Sequence, residues 1–227
     1  MKLSAVAPPH AVGALARILE LQATDPTAST TVRDPALAVG RHVADSLSAL
    51  PLPYVAAARR IADLGAGAGW PGLALAAALP DAHVWLVESQ SRHCRYLERA
   101  AEVADLKNIS VVHARAENWP DGLGAHDLVT ARALAALPVV LEYAAPLLEV
   151  GGHVVAWKGA VGEGERDAGL AAASALGLEA VEVMVVPPFE GAHDHTLHVF
   201  RKIAPTPERF PRRAGMAVKR PLGPRFT

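Results

Sequence analysis

Cysteine is nearly absent from this chain: Cys94 is the only one among 227 residues. No intrachain disulfide can form, and a reducing compartment fits. Net charge is nearly absent too. Lys and Arg number 22 against 23 Asp and Glu, a formal -1. The chain as a whole is no polycation, so any nucleic-acid surface must be a local patch. The start, "MKLSAVAPPH", lacks a sustained apolar stretch because Pro8, Pro9 and His10 interrupt it, and it does not read as a signal peptide. The longest uncharged apolar run, "LGAGAGWPGLALAAALP", is full of glycine and proline and short of a membrane span. A soluble cytoplasmic protein with no membrane partner is expected.

Apolar residues make up 51% of the chain, enough for one good core with a small appendage. Val12, Leu15, Leu19 and Leu21 recur at helical spacing over residues 10–22. Asp34 followed by Pro35 reads as a cap with proline at the first helical position, opening a helix that runs to about Leu50. From residue 60 short apolar runs alternate with amphipathic ones. Strands are expected over 60–64, 83–88, 109–114, 127–132 and 152–158, with helices over 71–79, 91–104, 138–148 and 163–176. That alternation argues for a parallel sheet covered on both faces. Strands over 179–186 and 195–202 follow with only "PPFEGAHD" between them, too short for a crossover, so this pair should be antiparallel. The expected fold is α/β: a Rossmann-like, seven-stranded, mostly parallel sheet with the last strand reversed. Residues 1–52 would form a helical cap, 53–203 the main domain and 204–227 a basic, extended tail.

The first expected strand runs into "IADLGAGAGWPG", which places Gly65, Gly67, Gly69 and Gly72 within eight residues. In open α/β sheets ligands bind at the carboxyl ends of strands, and glycine lets backbone approach a ligand closely. Gly67, Gly69 and Gly72 fit the dinucleotide fingerprint G-x-G-x-x-G, a weak signal alone. In another register, Asp63, Gly65, Gly67 and Gly69 spell D-x-G-x-G-x-G. An acid just before the glycines suits S-adenosylmethionine, which carries a sulfonium and an ammonium. Glu88 closes the second strand, where an acid can take a ribose hydroxyl pair, and it serves either ligand. The reversed seventh strand favours a methyltransferase over a dinucleotide-dependent oxidoreductase.

Several stretches resemble the bacterial small-subunit rRNA 7-methylguanosine methyltransferases, the RsmG or GidB family. They are "RHVADSL" (41–47), "IADLGAGAGWPGLALA" (61–76), "ARAE" (114–117), "TARALA" (130–135), "WKG" (157–159) and "FPRRAGMAVKRPLG" (210–223), in family order. The family loop is close to D-x-G-[TS]-G-x-G-[FL]-P-G, from which Ala66 and Trp70 depart; His195 stands near a position where the family often has arginine. The resemblance implies methyl transfer from S-adenosylmethionine to N7 of the guanine conventionally numbered 527 in 16S rRNA. It implies that Gly65 and Trp70 line the cofactor with Glu88 on its ribose, that Ala116 and Glu117 meet the adenine, and that Arg132 sits beside the transferred methyl. The partner would be 16S rRNA or the small ribosomal subunit, and a monomer is expected.

The chemistry agrees. Guanine N7 has an in-plane lone pair and no proton, so alignment matters more than a general base. The chain lacks the N-P-P-Y or D-P-P-Y box of adenine amino methylases; "TARALA" stands there instead. Pyrimidine C5 methylation needs an activated thiolate, whereas Cys94 lies mid-helix. Arg132 ends the fourth strand, where its donors could reach guanine O6 and a phosphate; a surface salt bridge is the plainer reading. Lys158 ends the fifth, to contact RNA phosphate or merely to snorkel. His42 and Asp45, one turn apart, could close over the cofactor or bond within their helix. His193, His195 and His198 do not make a metal site, because His195 and His198 fall on opposite faces of a strand. Arg209, Arg212, Arg213, Lys219, Arg220 and Arg225 concentrate positive charge near the end of the chain, and the prolines among them keep it extended for RNA. The readings left open are a methyltransferase of another RNA or small molecule, an oxidoreductase, and a non-catalytic RNA-binding protein.

Overall fold

A computed structural model describes residues 1–187 and 194–226. Its centre is one seven-stranded sheet: β1 (Arg60–Leu64), β2 (His83–Glu88), β3 (Ile109–His113), β4 (His126–Arg132), β5 (Leu148–Lys158), β6 (Leu178–Val185) and β7 (Thr196–Lys202). The spatial order is β3-β2-β1-β4-β5-β7-β6. All neighbours are parallel except β7, which runs antiparallel to both β5 and β6. β5 begins four residues earlier than its pattern suggested, after a register shift against β4 between His126 and Leu128. The "PPFEGAHD" connection lies mostly outside the described residues, as does His193.

Side chains alternate across the strands and build two cores. Ile61, Val84, Leu86, Leu128 and Val155 face one layer; Ala62, Leu64, Val87, Val129, Val154 and Ala156 face the other. The first layer holds α1 (Val12–Thr24) and the cap helices α2 (Pro35–Ala38), α3 (Asp45–Leu47) and α4 (Pro53–Ala56), with α5 (Gly72–Ala78) and α6 (Ser91–Ala104). The second holds α7 (Leu137–Ala144), α8 (Glu163–Leu176) and α9 (Met216–Lys219). The buried face of α1 is Leu15, Ile18, Leu19 and Gln22, turned slightly from the expected stripe because Val12 and Leu21 sit at its margins.

The helix expected from Asp34 to Leu50 is continuous to Leu47 but not α-helical throughout. Asp34 does cap it, accepting from the Ala36 amide at 2.8 Å. Residues Val39–Ala44 then form a π-helical turn between α2 and α3. Such single wide turns re-aim the side chains beyond them; here His42, Asp45 and Ser46 are all turned into the interior. Arg33 fastens the preceding loop by donating to the carbonyls of Gln22, Asp25 and Ala28. Arg99 on α6 clamps Asp25 at 2.6 Å.

The C-terminal segment does not extend away from the domain. Phe210 and Ala217 are buried in the second core, and Leu222 packs on it. Arg212 donates through Nε to Glu142 of α7 at 2.6 Å and through its second nitrogen to the other carboxylate oxygen. Glu142 is 1% exposed. A buried carboxylate demands a partner, and prolines alone do not keep a segment extended when such a partner is on offer. Replacing Arg212 with alanine should lower unfolding stability by about 3 kcal/mol or more, since Glu142 loses its cation. Limited proteolysis should then cut between residues 204 and 226 in the variant before it cuts the wild type. Equal thermal stability and equal cleavage rates would show that the pair does not hold the segment.

Candidate functional site

β1 hydrogen-bonds β2 on one side and β4 on the other, so the sheet order reverses at its carboxyl end. That is where open α/β sheets form a crevice. The glycine loop occupies it. The amides of Gly65 and Ala66 donate to the Val87 carbonyl, at 2.9 and 3.2 Å, and the Gly67 amide to Glu88 Oε2 at 3.0 Å. Gly67 has φ +53, which disfavours a side chain, and a Cβ there would project toward Ser29 across the cavity. At Gly72 a Cβ would meet Leu86 and Asp63.

Above the loop is a cavity of about 500 Å³. Its floor is Gly65 to Ala68 with Trp70; its roof is Ser29, Thr30, Arg41, His42 and Asp45 of the cap. The ends of β4 and β5 and the start of β7 supply Arg132, Trp157, Lys158 and His195. Strand periodicity explains the gathering. Thr130 and Arg132 share the cap-facing side of β4 with Leu128, as Trp157 shares it with Val155 on β5.

Asp45 joins these pieces. It is 1% exposed. Its Oδ2 accepts from Arg132 at 2.8 Å, its Oδ1 lies 3.0 Å from His195 Nδ1, and its carbonyl accepts from the Trp157 indole at 2.8 Å. Arg132 also donates to the Arg41 carbonyl at 3.0 Å and meets His42 Nδ1 at 3.2 Å. A guanidinium only donates, so His42 Nδ1 must accept, and the proton of the neutral ring lies on Nε2. That nitrogen is 3.1 Å from the Thr30 hydroxyl. The ring stacks on Trp70 at 5.5 Å, and the Trp70 indole donates to buried Gln22 at 2.7 Å. Burial, aided by the Arg132 charge, lowers the His42 pKa to about 4.

The expected site residues do not all converge. Gly65, Gly67, Trp70, Arg132 and Lys158 line the cavity. Asp63 does not: its oxygens are taken by the Gly72 amide at 3.0 Å and the Thr130 hydroxyl at 2.8 Å, so it fastens the loop from beneath. Burial pushes its carboxyl up to about 6. Gly69 is turned inward against Leu73. Glu88 stands directly behind Gly67. Ala116 and Glu117 lie outside the cavity lining, and Glu117 accepts from the Gly215 amide of the C-terminal segment at 3.0 Å. Lys158 is tied to Glu165 at 2.7 Å and to the Ala135 carbonyl at 3.0 Å. Arg212 is paired with Glu142. Cys94 is buried, and burial raises its thiol pKa. Sequence reasoning gave no role to Thr130, Trp157, Gln22 or Thr30. Thr130 stands two residues before Arg132 and Trp157 one before Lys158, so both were within sight; nothing in the sequence marks Gln22.

A family model described as rRNA small subunit methyltransferase G, GidB, matches residues 22–193. A ribosomal RNA small subunit methyltransferase G of Rubrobacter xylanophilus is 42% identical over 196 residues, covering 84% of this chain and 75% of that one. One of Desulfitobacterium hafniense is 36% identical over 196 residues, covering 85% and 81%. Among solved structures, the S-adenosylmethionine-dependent methyltransferase SibL in its apo form matches with a TM-score of 0.56 at 16% identity. That match covers 70% of this chain and 55% of the other, and at that identity it speaks for the fold alone.

The low pKa of His42 has a consequence for stability. The unfolded chain takes up a proton on this ring below about 6.5, while the folded chain refuses it until about 4. Stability carried by neutral His42 is therefore full above about 6.5 and lost as pH falls toward 4. Denaturant titrations of wild type and His42→Phe should show a shallower acid-side decline in the variant. Parallel declines would place the acid sensitivity elsewhere.

Proposed function

The chain belongs to the rRNA small subunit methyltransferase G family, GidB, and on that premise we propose that it moves a methyl group from S-adenosylmethionine to N7 of a guanine in 16S rRNA. The observation that carries the reading is the glycine loop, held at the carboxyl end of β1 with its backbone as the floor of a cavity large enough for a nucleoside. We take it to be a cytoplasmic enzyme acting as a monomer on rRNA or on the small subunit; among the described residues no helix is long and apolar enough to cross a membrane.

The residues fit the cofactor. At Gly67 the loop leaves room where a side chain would project, and Glu88, at the end of β2, stands where an acid can take a ribose diol. Ala116 and Glu117 at the neighbouring strand end are assigned to the adenine. When bound, the cofactor supplies a methyl on a positively charged sulfur. The chain's own part is alignment and charge. Attack of the in-plane lone pair of guanine N7 on that methyl would need no proton to move, so the chain has to supply no general base, only alignment and tolerance of positive charge on the purine. Arg132 is held rigidly by Asp45, His42 and the Arg41 carbonyl, which leaves its remaining N–H groups for O6 or phosphate. Asp45 also offsets the Arg132 charge, so the site does not oppose the charge arriving on the purine. The cap lines the far side of the cavity.

Mass spectrometry of digested 16S rRNA from strains with and without this gene tests the reading; one guanine should lose 7-methylguanosine in the deletion. A changed methyladenosine or 5-methylcytidine instead would sink the assignment. In the same assay Arg132→Lys should slow turnover by roughly tenfold or more, about 1.4 kcal/mol, because lysine cannot reproduce the planar fork. An unimpaired lysine variant would reduce Arg132 to a point charge.

The C-terminal segment supports the choice of RNA. With Arg212 committed to Glu142, the segment still presents Arg209, Arg213, Lys219, Arg220 and Arg225 to solvent on a packed base. Replacing these five with glutamine should flatten the log-log salt dependence of rRNA binding by roughly two to four units, with S-adenosylmethionine affinity unchanged. An unaltered slope would make the cations spectators.

A further inference from the structure

Behind the glycine loop lies a buried polar atom that nothing described so far uses. His93 sits in the first turn of α6, with its side chain 6% exposed. Its Nε2 is 3.3 Å from a guanidinium nitrogen of Arg92. The guanidinium can only donate, so Nε2 accepts and the proton of the neutral ring is on Nδ1. Among the described residues that Nδ1 has no hydrogen-bond partner. The nearest carboxylate oxygen is Glu88 Oε2, at 3.7 Å, just beyond hydrogen-bond reach. A buried donor without an acceptor costs free energy and asks for an explanation.

Glu88 supplies one. It is itself buried, and its two oxygens are supported from the protein side by backbone amides: Oε2 by Gly67 at 3.0 Å and Oε1 by Gln90 at 2.8 Å. These amides belong to the two segments that meet at the end of β2, the glycine loop and the entry to α6. The Ser89 hydroxyl also donates to Oε1, at 3.4 Å, so the capacity to accept more lies on Oε2. A ribose diol at Glu88 would draw the carboxylate into a more demanding set of bonds. A further protein donor, 3.7 Å from Oε2, would then hold it in place.

Resting on the methyltransferase reading above, we infer that His93 is a positioning residue for the ribose-binding carboxylate: its Nδ1–H bonds to Glu88 when the cofactor's ribose is seated. It touches neither the methyl nor the guanine. It acts through Glu88, and therefore on affinity for a ribose that carries its hydroxyls. Cys94, the next residue, is placed to keep that turn close, its thiol lying 3.4 Å from the Glu88 carbonyl. The short distance between the first turn of α6 and the end of β2 is thus fixed from the backbone as well.

The test is calorimetric, with the full chain and two ligands: S-adenosylhomocysteine and its 2′,3′-dideoxyribose analogue. His93→Leu, which keeps bulk and removes the donor, should weaken S-adenosylhomocysteine binding about tenfold, or about 1.4 kcal/mol. It should change affinity for the dideoxy analogue by less than about twofold, since that ligand makes no demand on Glu88. His93→Asn, whose amide nitrogen can stand where Nδ1 stands, should restore most of the loss. Should the leucine variant fail to fold, His93→Gln makes the same comparison, because its amide reaches the Nε2 position instead. Equal losses with both ligands would mean that His93 only packs against the loop, and no loss with either would mean that the donor is unused; each overturns the inference. A wild-type chain that fails to bind S-adenosylhomocysteine at all would instead overturn the methyltransferase reading itself.

Discussion

The carboxylate of Asp45 stands where the cap, the sheet and the reversed strand meet, and most of the site is arranged around its demand for partners. A buried carboxylate whose partner is removed costs about 3–5 kcal/mol. The chain meets that demand from two separate elements and ties the residue's backbone from a third. Arg132 comes from the end of β4 and His195 from the start of β7, while the Trp157 indole at the end of β5 secures the backbone of the same residue. Arg132 and Trp157 are register partners on neighbouring strands and His195 immediately precedes β7, so one residue, Asp45, fixes the relative positions of all three. The π-helical turn just before Asp45 is what delivers the residue to that point.

Much of the fold was legible because a parallel sheet buried on both faces writes itself as short apolar runs. The limits of β1, β2, α6 and α8 agree with expectation for that reason. The π-turn was not legible: "RHVADSL" fits an ordinary helix at every position, and only the pull of Arg132 and Trp157 on Asp45, remote in sequence, makes the wider turn worthwhile. The glycine loop announced a ligand site, since four glycines so close together have few other uses. The division of labour around it was hidden. Asp63 reads as a ligand contact from its place before the glycines, yet a side chain on that face of β1 meets Gly72 and Thr130 first.

The C-terminal segment shows how composition misleads about conformation. Its prolines and arginines suggest a solvated strap, and the counting of charges is sound. What composition cannot disclose is that a glutamate 70 positions earlier is buried with no other cation paired to it among the described residues. One arginine is spent on it, and the segment becomes a shaped surface. The amide of Gly215 then reaches Glu117, so a strip of exposed positive charge is mounted on the residues beside the proposed nucleotide site.

The reversal of β7 places the beginning of a strand among the ends of parallel ones. Residues enter the site there from the last third of the chain: Asp45 and His195 are 150 positions apart. Contacts of such separation form late, because the entropy of closing a long loop is lost before the contact gives anything back. During synthesis the glycine loop and β1 leave the ribosome well before β7, and the sheet cannot complete its β6 side until the final strand inserts between β5 and β6. The pocket is therefore a feature of the finished chain alone. A nascent fragment carries the loop but lacks the wall that His195 helps to form, and a truncated product would have no assembled site with which to occupy the RNA.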